Sequence, residues 1–378
     1  MPPYVSGART TYSNSNDRIL DLSEYLDYIP SDDMDTALLR RLGINGKEGP
    51  DGRSHARSIK TEWTQTALRP RGEIVTTGSG ATSVTVADSR VYQIGELLRI
   101  EAEIYRVTAL TNATTLAVTS AYAGTVTAAH TAKLLYSLGT ADAENSVPGA
   151  AVSDTVLRLF NYVQTFSVPV EISKDQIMAW TIDGNTLDAQ TERRFVEINR
   201  QLARAAVYGI KYDDGAAIRT MGGMISFLTT NVTNVAGAVT IAVIDALLLK
   251  IVNAGAKPKV MVTSPYQKQK IDALDSNKQL LGKKEHTGGN LVTNTWQSGI
   301  LDYELDLIVD RTMLDDQILF LDDDMVEIMP FEGNGESGAW GTYDATAPGQ
   351  DGKKQVIRGK YTVKVHNEKA HGYLYGLT

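Results

Sequence analysis

The chain has 378 residues, 42% of them hydrophobic, which is enough to bury large cores in two or three domains. A formal net charge of -8 without any concentrated Lys/Arg tract argues against a dedicated nucleic-acid binder, whose affinity comes mainly from phosphate neutralisation. Cysteine is absent, so disulfides and thiolate chemistry are excluded. No apolar leader and no run of about 18 apolar residues occurs, so the expectation is a soluble chain, unexported by the usual route, with no membrane partner.

In chain order, residues 1–57 read as a polar arm, with turn-forming clusters at 13–16 and 45–52. One helix is predicted inside it, from Ser31 to Leu42, with Met34, Leu38 and Leu42 at i,i+4 spacing and a stop at Gly43. Ser58 to Leu68 alternates in part and reads as a strand, closing on Arg69-Pro70-Arg71-Gly72 and expected to pair with residues 161–173. Residues 73–139 hold short β runs at Ser83–Ala87, Glu96–Ile100, Glu103–Leu110, Thr115–Thr119 and Lys133–Leu138, separated by turns. A tight hairpin is expected at Glu101-Ala102-Glu103. Together these predict an inserted β-barrel or sandwich, marginal alone and viable once docked on its host.

Asn161 to Ser173 alternates apolar and polar, the pattern of a strand with one wet face. From Leu187 to Tyr208 the period becomes helical, with Leu187, Phe195, Ile198, Leu202, Ala205 and Ala206 on one stripe. Asn185-Thr186 offers a cap, and Asp188 sits in the first turn. Arg193 and Glu197 are i,i+4 partners, Arg200 and Arg204 lie near the end, and Gly209 terminates the helix. Such a helix is roughly 33 Å long and serves as a spine.

Beyond it, Gly209 to Thr230 is loop-rich, and Ile241 to Asn253 predicts a buried helix ended by Gly255. Lys259 to Thr263 reads as a buried strand, and Ser264-Pro265 starts a helix reaching Leu274. Gly282 to Asn290 is a polar loop. Strands are expected at Gly299–Asp310, Gln317–Phe331, Lys360–Val365 and His371–Leu377.

Chemistry is sparse. Gly333-Asn334-Gly335-Glu336-Ser337-Gly338 is a literal GxGxxG, but Ala339 to Gly349 cannot propagate the helix whose N-terminus would receive a pyrophosphate, so a loop is expected. Asp322-Asp323-Asp324 could chelate a hard cation, yet adjacent carboxylates at a strand end read as a solvated turn. His55, His130, His286, His366 and His371 are scattered without metal-ligand spacing, and GxxxxGK[ST] and GxSxG are both absent. Lys283-Lys284 and Arg193-Arg194 are too short for phosphate tracks. No catalytic, cofactor or metal site is expected.

The order of parts resembles the major capsid proteins of tailed bacteriophages, the Hong Kong phage-type α+β fold. The carrying stretches are Thr61-Glu62-Trp63, Asn161 to Phe166 running into Val170-Glu171-Ile172-Ser173, and the spine helix with Arg193, Arg194 and Glu197 up to Gly209. The turn Arg219-Thr220-Met221-Gly222-Gly223-Met224 and the closing Asn367-Glu368-Lys369-Ala370-His371-Gly372-Tyr373 complete them. The resemblance implies an arm (1–57), an extended loop (58–72 and 140–185) interrupted by the all-β insert (73–139), a spine helix with peripheral domain (186–235), an axial domain (236–335) and a return to the peripheral domain (336–378). It further implies assembly residues on the spine (Arg193, Arg194, Glu197, Arg200, Arg204) and in the extended loop (Trp63, Tyr162, Phe166). Implied partners are copies of the chain in pentamers and hexamers, a portal protein, optionally a scaffolding or decoration protein, and packaged double-stranded DNA bound without sequence specificity. The place implied is the virion, after assembly in the host cytoplasm.

Two other classes compete. A tail or baseplate component would also need arms and β inserts but would form a ring or tube. A hydrolase or nucleotide enzyme on residues 236–335 would need a convergent pocket of titratable groups, which the sequence does not display.

Overall fold

The computed structural model describes residues 35–43, 55–65, 72–142, 144, 156–179, 186–274, 279–280, 294–333 and 336–378. The clusters at 13–16 and 45–52, Met34, Arg69 to Arg71, Asn185 and the 282–290 tract lie outside them.

A seven-stranded mixed sheet carries one half of the fold, in the order 232–237, 372–377, 318–321, 260–263, 304–309, 294–297 and 279–280. Strands Val260–Thr263 and Ile318–Leu321 are buried on both faces, as their unbroken apolar runs require. Alternation then assigns each side chain to a layer. Met261, Ile318, Phe320 and Leu374 face helix Ile241–Asn253, whose Ile244, Leu247, Leu248 and Ile251 are buried against them. Val260, Val262, Leu319 and Leu321 face the opposite core, shared with the spine helix. Helices 241–253 and Pro265–Asp272 begin at Thr240 and Ser264, whose hydroxyls accept the Val243 and Gln267 N–H groups. The final strand, Gly372–Leu377, sits inside this sheet instead of with the rest of segment 336–378, because it bridges 232–237 and 318–321.

The expected strand Gln317–Phe331 is two strands in two sheets. Ile318–Leu321 stays in the seven-stranded sheet, and after a turn Val326–Pro330 pairs with Gly352–Val365 in a second one. That 14-residue strand also pairs with Gly341–Asp344 and, over ten consecutive positions, with Gln164–Ser173. Across this layer lies the spine helix Thr186–Tyr208, burying Ile198, Leu202, Ala203, Ala206 and Val207. Each large side chain so buried is worth about 1.5–3 kcal/mol. Phe195, expected on the buried stripe, is 39% exposed and meets Trp340 edge-on at 6.1 Å.

The segment from Asn161 to Ser173 is not one strand. Leu157–Tyr162 pairs with Lys60–Gln65, and at Val163, whose N–H donates to the Ile59 carbonyl, the chain changes partner. Strand 60–65 therefore does not pair with residues 164–173, which are occupied by 352–361.

Residues 72–140 form a six-stranded antiparallel sheet in the order 72–77, 130–140, 96–100, 103–112, 115–119 and 83–85. It has a core of its own, including Val75, Leu98, Ile100, Tyr105, Leu116 and Leu135. Glu101 and Ala102 form its two-residue turn, with Glu101 at φ 53. The strand Gly72–Thr77 escapes sequence reading because Ile74 and Val75 are its only large apolar residues and no alternation surrounds them.

Candidate assembly surfaces

The spine helix ends in a joint that only glycine permits. Gly223 N–H donates to the Gly209 carbonyl at 2.7 Å, and a Cβ on Gly223 would lie 2.5 Å from both the Gly209 nitrogen and the Val207 oxygen. Asn161, fully buried, clamps this joint to the sheet. Its Nδ2 donates to the carbonyls of Gly222 (2.9 Å) and Val363 (2.6 Å), while Oδ1 accepts the Gly222 N–H at 2.7 Å. A buried amide that uses both ends on backbone is rigid and specific. Sequence pattern does not show this, because Asn161 looks like the first polar residue of a strand.

Asn161 itself belongs to the two-stranded ladder 60–65/157–162. Trp63 is buried within the chain, packed on Phe227 at 5.6 Å and His366 at 6.4 Å. Phe166 is buried as well, edge-on to Trp340 at 6.2 Å. Tyr162 is half-buried, and its carbonyl accepts the Thr362 hydroxyl at 3.0 Å. Two of the three extended-loop residues thus spend their side chains inside their own subunit. The ladder's open apolar surface comes from Ile59, Val156 and Leu157, which are 46%, 56% and 54% exposed.

On the spine, Glu197 receives Arg194, one turn back at 2.6 Å, where i,i+4 spacing points to Arg193. Arg200 does not act at the helix end. It reaches Asp35 at 2.5 Å and so holds the arm, whose helix is Ala37–Leu42, shorter than Ser31–Leu42, with Leu38, Leu39 and Leu42 buried. The Leu38 N–H donates to Asp310 at 3.0 Å, and Arg41 bonds Asp323 at 2.8 Å and Asp306 at 3.1 Å. Arg204 is exposed.

The acidic turn is solvated only in part: Asp322 and Asp323 are buried and Asp324 is exposed. Their carboxylate oxygens converge within 4.8 Å of one another, Arg41 pairing with Asp323 and Lys259 with Asp322 and Asp324. The GxGxxG string holds a short hairpin, Glu332–Gly333 with Glu336–Ser337, and opens no helix. Beside it lies an open cleft of about 310 Å³ lined by Phe331, Thr342, Tyr343, Arg358 and Lys360 among others.

His366 bonds Glu327 at 2.8 Å, and His371 is fully buried, its Nδ1 accepting the Asp322 N–H at 3.3 Å and its Nε2 donating to the His366 carbonyl at 3.2 Å. Burial pushes the His371 imidazole from 6.5 down to about 4. The unfolded chain therefore takes up a proton that the folded one refuses across that window. This contribution, roughly 3 kcal/mol at most, is complete above the unfolded value and is lost as pH falls from 6.5 toward 4. Urea unfolding at stepped pH should show a steep acid-side loss that flattens in His371→Asn; parallel slopes for the two proteins would refute it.

None of the curated proteins matches the chain. The native GTA particle capsid superposes with a TM-score of 0.55 at 10% identity, covering 98% of this chain and 100% of that one. The capsid of cyanophage A-1(L) superposes at 0.50 and 12% identity, covering 98% and 100%. These likenesses give the fold, a Hong Kong phage-type capsid subunit. Among the described residues no helix is long and apolar enough to cross a membrane. The SU10 major capsid protein family matches residues 5–378, and the chain belongs to that family of tailed-phage major capsid proteins.

Proposed function

We propose that copies of the chain assemble into pentamers and hexamers of an icosahedral shell around double-stranded DNA, through its arm and extended loop. The carrying observation is the ladder 60–65/157–162. Among the described residues no third strand joins it, and it exposes Ile59, Val156 and Leu157. A two-stranded ribbon with open edges is marginal in water and is completed by a neighbour. Heterologous contacts of that kind close into rings. The six-stranded sheet of residues 72–140 is the insert of the extended loop, residues 186–231, 326–330 and 336–371 surround the spine, and the seven-stranded sheet is the axial part. Net charge -8 keeps packaged DNA off the inner wall. The role is structural and non-enzymatic, with a portal protein as partner, a scaffolding or decoration protein as an optional one, and assembly in the host cytoplasm. The capsid family match sets aside a tail or baseplate role.

Electron microscopy of the purified protein at rising concentration, with light scattering on the same samples, is expected to show five- and six-membered rings or closed shells. A monodisperse monomer throughout would overturn the proposal.

A further inference from the structure

Residues 210–220, at the foot of the spine helix, combine high exposure with rigidity. Ile210, Tyr212 and Ile218 are 75%, 58% and 65% exposed, three large apolar side chains on one small hairpin, Tyr212–Asp213 paired with Arg219–Thr220. Chain looseness does not account for this. Asp213 Oδ1 accepts the Gly215 N–H at 3.0 Å, and Asp214 Oδ1 accepts those of Ala216, Ala217 and Ile218 at 2.8, 2.9 and 3.0 Å. These donors, the Ala216 N–H first, hold the Asp214 carboxyl below its usual range. The Thr220 hydroxyl donates to the Ile210 carbonyl at 2.6 Å. At the base, the Met221 N–H donates to Gln164 Oε1 at 3.1 Å, beside the glycine joint. The Lys211 ammonium lies 3.9 Å from the Phe160 ring centre and ties the hairpin to the 157–162 strand.

We propose that this hairpin is a preformed knob that docks on a second copy of this chain. Three observations select that occupant. The chain belongs to a family whose members build capsids from copies of themselves. The knob flanks the ladder already assigned to subunit contacts, its Lys211 lying over Phe160 of the 157–162 strand. Finally, the knob's turn carries Asp213 and Asp214 between exposed apolar side chains, and the open cleft on the same chain places Phe331 and Tyr343 beside the cations Arg358 and Lys360, with Glu336 also in its lining. Because its backbone is ordered beforehand, docking costs little conformational entropy.

The inference rests on the shell reading, and one experiment separates them. The natural chain has no cysteine, so Ile218→Cys supplies a single thiol whose maleimide labelling is followed in free subunits and in particles formed by the purified protein alone. Labelling is expected to slow by about tenfold or more on assembly, and Ile210→Ser/Ile218→Ser to raise the concentration needed for assembly by a similar factor, as removal of clustered apolar anchors does. Equal labelling in both forms, or protection that needs another virion protein, would overturn the knob and leave the shell intact. Failure of the unsubstituted protein to assemble would remove the shell reading itself, and the knob with it.

Discussion

Gly223→Ala is expected to leave little soluble, folded subunit. The new methyl would meet the Gly209 nitrogen and Val207 oxygen at 2.5 Å, and both are backbone atoms that no rotamer change can move aside. Forcing the joint open costs about 1–3 kcal/mol in overpacking. Opening also breaks the Gly223 to Gly209 bond and strains the Asn161 clamp, at about 1–3 kcal/mol for each buried polar group left unmet. The sum, roughly 4 kcal/mol or more, is comparable to the 5–15 kcal/mol that about holds a folded domain together. Gly78→Ala is the control, since a Cβ there meets nothing within 4 Å. Soluble yield and thermal midpoint decide the matter: a Gly223→Ala midpoint within about 2 °C of the parent would show that the joint yields.

Trp340→Ala should be strongly destabilising although the side chain is only partly buried. The indole stacks among Tyr361, Phe195 and Phe166 at 5.0, 6.1 and 6.2 Å, and presses so closely on Gly359 that a Cβ there would lie 2.4 Å from Trp340 Cε3. It is also the contact that links Phe195 of the spine to the 352–365 strand. Loss of a buried tryptophan costs about 3–5 kcal/mol, and partial exposure places this one near the lower end. Trp340→Phe should recover about half, because edge-to-face packing survives. Denaturant midpoints measure both; a Trp340→Ala loss below about 1 kcal/mol would mean that the site collapses around the cavity.

Elements whose evidence is local were legible in the sequence. Helix 241–253 has its expected bounds because the Thr240 cap, the apolar period and Gly255 all lie within one stretch. The spine helix and most insert strands follow for the same reason. What failed depends on distant partners. Nothing near Val163 announces that strand 352–361, nearly two hundred residues later, will claim 164–173 and leave 157–162 to another strand. Likewise, Asp322 and Asp323 read as solvated until Arg41 and Lys259 arrive from other parts of the chain. The expected assembly residues were legible as residue types and not as positions. Trp63 and Phe166 look like contact residues by type and are core residues by position, whereas Ile210 and Ile218 look like loop filler and face solvent.

The ten-position pairing between 164–173 and 352–361 also has a mechanical consequence. Under the proposed assembly, a pull on the 60–65/157–162 ladder would enter strand 164–173 along its own axis, parallel to its partner and perpendicular to the hydrogen bonds. The load is then shared across the whole register in shear, and no end rung can be unzipped in isolation. In the proposed shell, tension drawn from one subunit would thus be carried by the length of this ten-position register more than by the strength of any single rung.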